Sequence, residues 1–363
     1  MANQELMKIL QIETQVSDLG KENLLDTFPE FGKEIGNAIN TGEVIAFSQE
    51  LSEQLLSMDI YKASLLTNFI GFVCEKTEDT KAGQNVLVFF VHVCNLVYDL
   101  FQYIEENKQE ILLEDKEKLY ALNAEWAKAY FGFNIVCVAV MAFLTRDVAL
   151  RIVLLKMDIG NKTQYLAEEA PESPYLRSIR YVDAMPLTCS QLNLLVLNPE
   201  QKKGFLATAN DLKNCFHLLF LLEEQIYQNL RKDYGMTAFN ADPALVRLAH
   251  GEYPKDCWGK SYSTYFMELN YSSVFTAKED LGKENMYPLI WGEMSPNYIP
   301  VVDNYAVIVL WKKGISRSFS GEFMAVDHPA LNPYVKIEKE LSEEEYDTWL
   351  QKIKLAMQNN QQE

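Results

Sequence analysis

The segment Trp126–Met157 constrains this chain more than any other, because it is the longest apolar stretch in the sequence. Within it, residues 131–144 are almost uninterruptedly apolar, but about 14 residues are fewer than the roughly 20 that a membrane-spanning helix needs. Asp147 and Arg151 follow at the spacing of a helical ion pair. We therefore predict a buried helix or helix pair at the centre of a helical domain. Three of its side chains are expected in the core: Val138, Met141 and Val148.

Apolar residues recur at spacings of three and four along much of the first 232 residues, which is the pattern of core-facing helices. The clearest example is 84–106, and a further helix is predicted over 200–232. Residues 160–200 carry scattered glycine and proline, so we predict a long irregular connection there. The N-terminal part is expected to be all-α, either a multi-helix bundle or a solenoid-like unit.

The periodicity changes in the C-terminal third. In 305–311 both alternating sets of residues are apolar, which is typical of a strand covered on both faces. After a Lys-Lys-Gly turn, 315–323 alternates polar and apolar residues, and the two segments together predict an antiparallel β-hairpin. Ser342 and Glu345 have the spacing of a capping box, which predicts a last helix whose apolar face packs on the hairpin.

These patterns predict a mainly α chain with two domains. Residues 1–233 form the all-α domain, including the irregular connection near 160–200, and 234–260 form a linker. Residues 261–363 form a small α+β domain with the hairpin and the C-terminal helix. A length of 363 residues also exceeds the usual range of one domain.

The chain is strongly acidic, because 33 Lys and Arg stand against 51 Asp and Glu and give a formal net charge of −18. Such a molecule repels nucleic acid and anionic membrane surfaces. A hydrophobic content of 48% is that of a folded protein. The N-terminus has no basic start followed by an apolar core, and the six cysteines are scattered without a CxxC pair. We predict a soluble, cytoplasmic protein that binds neither nucleic acid nor membranes.

The motifs of common catalytic and cofactor sites are not found in the sequence. There is no GxxxxGK[ST] or GxGxxG phosphate loop, no GxSxG nucleophile elbow and no HExxH metal-binding helix. The four histidines lie far apart in the sequence, so a zinc site would need ligands from distant segments. We predict no cofactor and no metal.

Two groups of polar residues combine side chains that active sites use. His92, Asn95 and Asp99 are neighbours on the flank of the helix predicted at 84–106, and a carboxylate near an imidazole suits a general base or a metal ligand. The alternative is the polar flank of a core helix. The second group combines thiol, imidazole and carboxylate, the parts of a cysteine nucleophile, and its alternative is a set of turns with a buried cysteine. Its members are His250, Asp256 and Cys257. A third, separate candidate is Asp327 in Asp327-His328-Pro329, which reads more naturally as a turn after a strand.

Two polar faces were considered as binding surfaces. Ser316, Ser318 and Ser320 share one face of the second predicted strand, where they would recognise a partner by strand addition, or would simply be its solvent side. A polar stripe opposite the apolar face of the helix at 200–232 is predicted to be solvated: Asn210, Asn214, His217 and Glu224.

The acidity and the missing catalytic motifs predict a non-enzymatic interaction module that binds a basic protein partner, of the inhibitor, immunity-protein or adaptor kind. The competing hypothesis is an enzyme with its active site in the cleft between the helical and α+β domains, using some of His250, Asp256, Cys257 and Asp327. The sequence indicates neither a reaction type nor an oligomeric state.

Overall fold

The computed structural model describes residues 4–21, 29–107, 113–169, 173–252, 263–273, 290–312 and 318–359. The chain divides into two compact units, Met1–Pro186 and Leu187–Glu363. The first is helical and the second contains a mixed sheet with helices, so the expectation of a mainly α chain with an α+β part is confirmed at that level. The division follows Pro186, whereas the sequence analysis extended the helical domain to 233.

The helical unit is built from helices and short 3₁₀ turns. Its helices are α1 (Gln4–Gln11), α2 (Pro29–Thr41), α3 (Val44–Ser52), α4 (Ile60–Thr77), α5 (Gly83–Asn107), α6 (Lys116–Leu122), α7 (Ala124–Leu144), α8 (Val148–Lys156), α9 (Gly160–Glu169) and α10 (Ile179–Ala184).

Helix α7 is the centre of this unit and contacts α4, α5, α6, α8 and α10. It begins two residues before the stretch Trp126–Met157 and covers the first part of that stretch, and the expectation of burial is confirmed for most of α7. Met141 is buried and Val148 partly buried, but the prediction for Val138 was wrong, because 47% of this residue is exposed. Although α7 packs against several neighbouring helices, a strip of its surface that includes Val138 remains exposed to solvent.

Two helices, α5 and α7, are long and apolar enough to cross a membrane by length and composition alone. In α7, 83% of the most hydrophobic window is buried inside the protein, and in α5 the fraction is 44%. A core helix of a soluble protein meets the same test, because it too is apolar over most of its surface.

Helices α4 and α7 run parallel and in close contact, with small residues between them. Gly71 lies against Ala139 and Gly132 lies against Ser64. The thiol of Cys74 is 3.6 Å from the carbonyl oxygen of Ala142. The residue numbers in each pair differ by 68, and this constant difference shows that the two helices share one direction and one register. Small side chains allow the two backbones to approach.

Gly71→Ala is expected to lower the free energy of unfolding by about 1–3 kcal/mol, because the new Cβ would lie 2.9 Å from Cα of Ala139 and the helices would have to separate. Gly36 in α2 is the matched control. No atom lies within 4 Å of its added Cβ, so Gly36→Ala is expected to stabilise by about 0.5–1 kcal/mol through helix propensity. Urea denaturation measures both changes, and a stabilising Gly71→Ala would contradict the close packing.

A buried ion pair ties the N-terminal segment to the helices. Asp59 caps α4 by accepting hydrogen bonds from the backbone N–H groups of Tyr61 and Lys62. Its carboxylate also accepts from Thr14 N (3.0 Å) and Thr14 Oγ1 (2.5 Å) and lies 3.0 Å from Nζ of Lys128 on α7. One side chain therefore joins three segments that are distant in the sequence.

The C-terminal unit begins with a strand pair and ends with a helix. Its elements are β1 (Leu192–Asn198), β2 (Lys203–Asn210), α11 (Cys215–Asn229), α12 (Arg231–Tyr234), α13 (Pro243–Ala249), β3 (Thr264–Phe266), β4 (Leu269–Ser272), β5 (Val301–Val302), β6 (Tyr305–Lys312), β7 (Ser318–Ser320), β8 (Tyr334–Glu340) and α14 (Glu343–Asn359).

The main sheet has the strand order β4-β6-β1-β2-β8, and β5 also pairs with β6. The pairing of β1 with β6 is parallel, with Leu194 opposite Ala306, and the other pairs are antiparallel. Both central strands are apolar on both faces, because α11 and its neighbours cover one face and α14 covers the other. The prediction of a strand covered on both faces at 305–311 is therefore confirmed.

The C-terminal helix begins with the predicted capping box. The backbone N–H of Ser342 donates to Oε2 of Glu345 (3.0 Å), and the backbone N–H of Glu345 donates to Oγ of Ser342 (3.3 Å). Tyr346 and Ile353 on the inner face of α14 are buried against Val307 and other residues of the sheet. The last helix was predicted to pack on the hairpin. It does pack on the 305–311 strand, but Phe319 of the second predicted strand belongs instead to the core around α11.

Three elements differ from the prediction. The expected helix over 200–232 is wrong in its first half, since 203–210 is strand β2 and the helix starts at Cys215. Phe205 and Ala209 fit both a helical spacing and the period-two burial of a strand. The irregular connection at 160–200 contains α9, α10 and β1, and the linker at 234–260 contains α13.

The predicted hairpin does not form either. Strand β7 pairs with β3 in a separate two-stranded sheet, with Phe319 opposite Tyr265, whereas β6 pairs with β1, β4 and β5. Strands β1, β4 and β5 pair with β6 and occupy both of its edges. All three come before β6 in the chain, and β5 comes immediately before it. Adjacency in sequence favours a hairpin, but the longer central strands outcompete it for β6.

Candidate functional site

The three polar residues predicted on α5 do not form a site with one another. His92 and Asp99 are exposed, and Asn95 accepts a hydrogen bond from Nζ of Lys162 (2.6 Å), which joins α5 to α9. Across the described ranges of the chain, no group of three or more His, Cys, Asp and Glu side chains is arranged to hold a metal ion.

The serine face lies on β7, in the two-stranded sheet. Ser318 is exposed opposite Phe266, and Ser320 is partly buried opposite Thr264. Ser316 lies outside the described residues. Within the described residues, the strand that carries Ser318 and Ser320 covers Ser318–Ser320.

The residues predicted around the cysteine lie in the C-terminal unit, and two of them are described. His250 ends α13, and Asp327 accepts a hydrogen bond from Nζ of Lys213 (3.0 Å), just before α11. Asp256 and Cys257 lie outside the described residues. The structure thus places His250 and Asp327 next to the α11 region, each with a partner that the sequence analysis did not assign.

The polar stripe assigned to α11 is not solvated, which corrects the prediction. Asn214, His217 and Glu224 are buried, and Asn210 lies on β2. Helix α11 is surrounded by the sheet, by α12 and α13 and by the 3₁₀ turn Gly321–Met324 after β7, so its polar side needs partners inside the protein. Asn214 caps the helix by accepting from the backbone N–H of His217 (2.9 Å).

His217 is a neutral, structural histidine. Its Nδ1 accepts a hydrogen bond from the backbone N–H of Lys213 (3.3 Å), so the proton lies on Nε2, which donates to the carbonyl oxygen of Ala249 (2.6 Å). The ring is fully buried, and burial lowers the pKa of His217 to about 4. It holds the C-terminus of α13 against α11.

Glu223 is a fully buried carboxyl group. Burial raises the pKa of Glu223 to about 7, against the opposing effect of three hydrogen bonds to the carboxylate. Tyr265 OH donates at 2.6 Å, and the backbone N–H groups of Leu269 and Glu268 donate at 2.7 and 3.3 Å. A pKa of this kind is common in active sites, but a side chain without solvent access has no route to a substrate. Glu223 anchors the turn between β3 and β4.

Glu224 and His250 form a carboxylate–imidazole pair. Oε2 of Glu224 lies 2.7 Å from Nε2 of His250, the carboxylate is buried, and 39% of the histidine side chain is exposed. The hydrogen bond to Glu224 raises the pKa of His250, burial opposes this, and the charges of Glu224 and Glu252 add to it. A buried carboxylate that orients a solvent-accessible imidazole is the arrangement of a general base.

Glu224→Gln is expected to lower the pKa of His250 toward its ordinary value of 6.5, because the amide removes the charge that favours imidazolium. Glu252→Gln is the control, and its smaller, purely electrostatic contribution predicts a smaller decrease. NMR titration of the His250 ring protons measures both. Equal shifts in the two variants would contradict the direct pair.

A concave site lies in the helical unit, between α2 and α3. Its volume is about 240 Å³. The acidic part of the lining is Glu34, Glu43 and Glu50, and the apolar part is Phe47 with two alanines. The complete lining is Glu34, Asn37, Ala38, Thr41, Glu43, Ala46, Phe47 and Glu50.

No family model, curated protein or solved structure matches this chain.

Neither the Glu224–His250 pair nor the acidic cavity was found from the sequence. Glu224 and His250 are 26 residues apart on different helices. The cavity had a local signal that was not used, since residues 29–58 contain five glutamates and a single lysine. A run of this composition on two short helices predicts an acidic surface.

Proposed function

We propose that this protein is a soluble, acidic interaction module that binds a basic segment of a partner protein at the cavity between α2 and α3. An inhibitor, an immunity-type protein or an adaptor would act in this way. The observation that carries the proposal is a concave site that combines three glutamates with an apolar floor.

The distribution of charge supports this location. The unit Met1–Pro186 contains 16 basic and 28 acidic side chains, a net charge of −12, and the unit Leu187–Glu363 contains 17 and 23, a net charge of −6. Two thirds of the net charge of the protein therefore lie on the unit that holds the cavity. A negative field of this kind steers a basic partner and speeds its association.

The lining suits a lysine or arginine side chain. Its aliphatic stem would lie on Phe47, Ala38 and Ala46, and its charged end would approach the carboxylates of Glu34 and Glu43. Burial of the stem adds an apolar contribution to a contact that would otherwise depend on salt alone.

We also propose that the helical unit is a bundle rather than a solenoid. In a solenoid each repeat contacts only its neighbours along the chain. Helix α7 instead contacts α4 and α5 from earlier in the chain and α10 from later.

The test compares two triple variants with the same change in net charge. The cavity variant is Glu34→Gln, Glu43→Gln and Glu50→Gln. The control variant changes three exposed glutamates elsewhere in the helical unit: Glu106→Gln, Glu117→Gln and Glu125→Gln.

Calorimetry with a ten-residue oligolysine peptide is expected to show at least tenfold weaker binding for the cavity variant. The control should change affinity less than threefold, and affinity should fall as salt rises. Equal losses in both variants would mean that binding follows overall charge, and the cavity proposal would then be withdrawn.

The Glu224–His250 pair favours a second candidate function, an enzyme that uses His250 as a general base. His250→Gln removes the base while Glu252→Gln leaves it in place. If the protein cleaves any member of a panel of ester, amide and phosphoester substrates, His250→Gln is expected to reduce the rate by 10²-fold or more. Identical rates in wild type and His250→Gln would exclude this role.

A further inference from the structure

The segment 236–250 of the C-terminal unit lies between two glycines and contains α13. Gly235 before it and Gly251 after it have φ values of 70° and 80°, a left-handed conformation that favours glycine and ends a helix. The segment therefore has a turn at each end. Between these turns it is held in place by its contacts with α11 and the core around that helix.

Two imidazole groups join the end of α13 to α11, at consecutive residues of the chain. Nε2 of His217 on α11 donates to the carbonyl oxygen of Ala249 (2.6 Å), and Nε2 of His250 lies 2.7 Å from Oε2 of Glu224 on α11. His217 and Glu224 are seven residues apart, so they lie on one side of α11, two turns or about 10 Å apart. The end of α13 is thus fixed to α11 at two points, and each contact involves a histidine.

The other contacts of the segment are mostly apolar. Leu245 is buried in the core, and the ring of Phe239 packs on the ring of Phe220, with centroids 5.3 Å apart. At the start of the segment, Oγ1 of Thr237 donates to the carboxylate of Glu268 (3.2 Å). Apolar contacts do not titrate, so the two histidines that hold the end of α13 make its docking depend on pH.

The two rings respond to pH in opposite directions. Full burial lowers the pKa of His217 to about 4, and Nδ1 already accepts from the backbone N–H of Lys213 (3.3 Å), a bond that a second ring proton would break. The hydrogen bond to Glu224 raises the pKa of His250 above its ordinary 6.5. His217 therefore contributes stability above pH 6.5 that is lost as pH falls toward 4. His250 contributes stability below pH 6.5 that is lost as pH rises through its raised pKa.

The charges around the two rings reinforce these directions. Among the described residues, the charged groups next to the rings are Lys213 with its partner Asp327, Glu224, and Arg247 with its partner Glu252. Lys213 and protonated His250 act to lower the pKa of His217, and both glutamates act to raise the pKa of His250. Glu223 on the same helix accepts from Tyr265 and from the turn between β3 and β4, so its titration acts on that turn.

We propose that the segment 236–250 is a pH-dependent latch, in which His217 and His250 hold α13 on α11 most firmly at about pH 6.5 and release it at both lower and higher pH. Release exposes to solvent the side of α11 that carries His217 and Glu224. The latch lies in the unit Leu187–Glu363 and uses none of the residues of the acidic cavity. It goes beyond the proposed function, and either can exist without the other.

Hydrogen exchange of the full chain tests the latch, with protection corrected for the pH dependence of intrinsic exchange. The backbone N–H groups of 246–250 are expected to lose protection at least tenfold between pH 6.5 and pH 5, and to lose protection again between pH 6.5 and pH 9. The N–H groups of β1 are the internal control. They should change less than those of 246–250 between pH 6.5 and pH 5, because they exchange when the whole unit opens, and there the titration of Glu223 opposes that of His217.

Two glutamine variants separate the two contacts. His217→Gln should abolish the loss of protection at low pH and keep the loss at high pH, because glutamine both accepts and donates but does not titrate. His250→Gln should do the reverse, and since 39% of the His250 side chain is exposed, this variant is expected to fold even if His217→Gln does not. His92→Gln, at an exposed histidine of α5, is the matched control and should keep both losses.

Three results would overturn the latch. One is constant protection of 246–250 in the wild type between pH 6.5 and pH 5. The second is a wild-type profile in both His217→Gln and His250→Gln. The third is an equal loss of protection in β1, which would assign the pH dependence to unfolding of the whole unit rather than to release of α13.

Discussion

Asp59→Ala is expected to lower the free energy of unfolding by about 3 kcal/mol, because the buried ammonium group of Lys128 then keeps only the exposed carboxylate of Glu13 (3.0 Å) as a partner. It also removes the N-cap of α4 and the acceptor for both Thr14 donors. The N-terminal segment should detach from the helices at the same time. Urea denaturation measures the stability, and limited proteolysis near Thr14 measures the detachment.

Asp147→Ala is the matched control for this substitution. Asp147 caps α8 in the same way, by accepting from the N–H groups of Ala149 and Leu150, and it also accepts from the hydroxyl of Thr80 (3.0 Å). The buried guanidinium group of Arg151, four residues on, donates to the backbone carbonyls of Leu144 and Thr145. The loss of Asp147 should cost about 1 kcal/mol. In the double variant Asp59→Ala with Lys128→Met, part of the stability should return, because the buried ammonium group that lost Asp59 is removed and the remaining carboxylate of Glu13 is exposed to solvent. Equal costs for Asp59→Ala and Asp147→Ala would contradict the importance of the buried pair.

The sign of the pH dependence at Asp59 follows from its environment. Burial acts to raise the pKa of Asp59, but the hydrogen bonds from Thr14 and Lys128 together outweigh it, and the pKa lies below the ordinary 3.8. The unfolded state therefore takes up the proton first as pH falls. The stabilising contribution of Asp59 is present above pH 3.8 and is lost as pH falls through the lower pKa of the folded state.

Glu223→Gln is expected to stabilise the protein relative to wild type by about 3 kcal/mol more at pH 8 than at pH 4. Between its unfolded pKa of 4.5 and its folded pKa of about 7, wild-type Glu223 is protonated only in the folded state. The unfolding free energy of the wild type therefore falls across this window, at 1.36 kcal/mol per pKa unit. Glutamine does not titrate, so Glu223→Gln lacks this decrease. Urea denaturation at unit steps of pH measures the difference.

His217 acts in the opposite direction over almost the same window. Between about pH 4 and 6.5 it is protonated only in the unfolded state, so its contribution raises stability as pH rises. The two contributions have similar size and opposite sign, and they should nearly cancel in the wild type. Glu223→Gln should therefore reveal a rise in stability with pH that the wild type does not show.

Glu268→Gln is the control for Glu223→Gln, because Glu268 belongs to the same turn but its side chain is only partly buried. The charge of Glu268 helps to raise the pKa of Glu223, so Glu268→Gln should lower that pKa slightly and keep most of the fall in stability with pH. A profile for Glu223→Gln that is parallel to the wild type would show that Glu223 is ionised in the folded protein at low pH. That result would contradict the effect of burial on this carboxyl group.

Sequence patterns correctly predicted the elements that are determined within a single segment of the chain. Helix α7, strand β6 and the capping box of α14 lie where the sequence indicated, because each depends on residues within one segment. Strand β2 was misread, because Phe205 and Ala209 satisfy two periodicities and the pairing with β1 and β8 decides between them. Strand β7 was paired wrongly because its partner β3 lies more than fifty residues earlier.

The sequence by itself determined that the chain is a folded, mainly α protein with an acidic surface and a central apolar helix, because composition and periodicity measure burial and charge directly. Only the tertiary structure decided which polar groups meet. His217 was predicted on a solvated face and is fully buried, and His250 meets Glu224 rather than its sequence neighbours. An apolar face can be buried against any apolar neighbour, whereas a buried polar group needs one particular partner at hydrogen-bond distance. That partner comes from whichever segment the fold brings within about 3 Å.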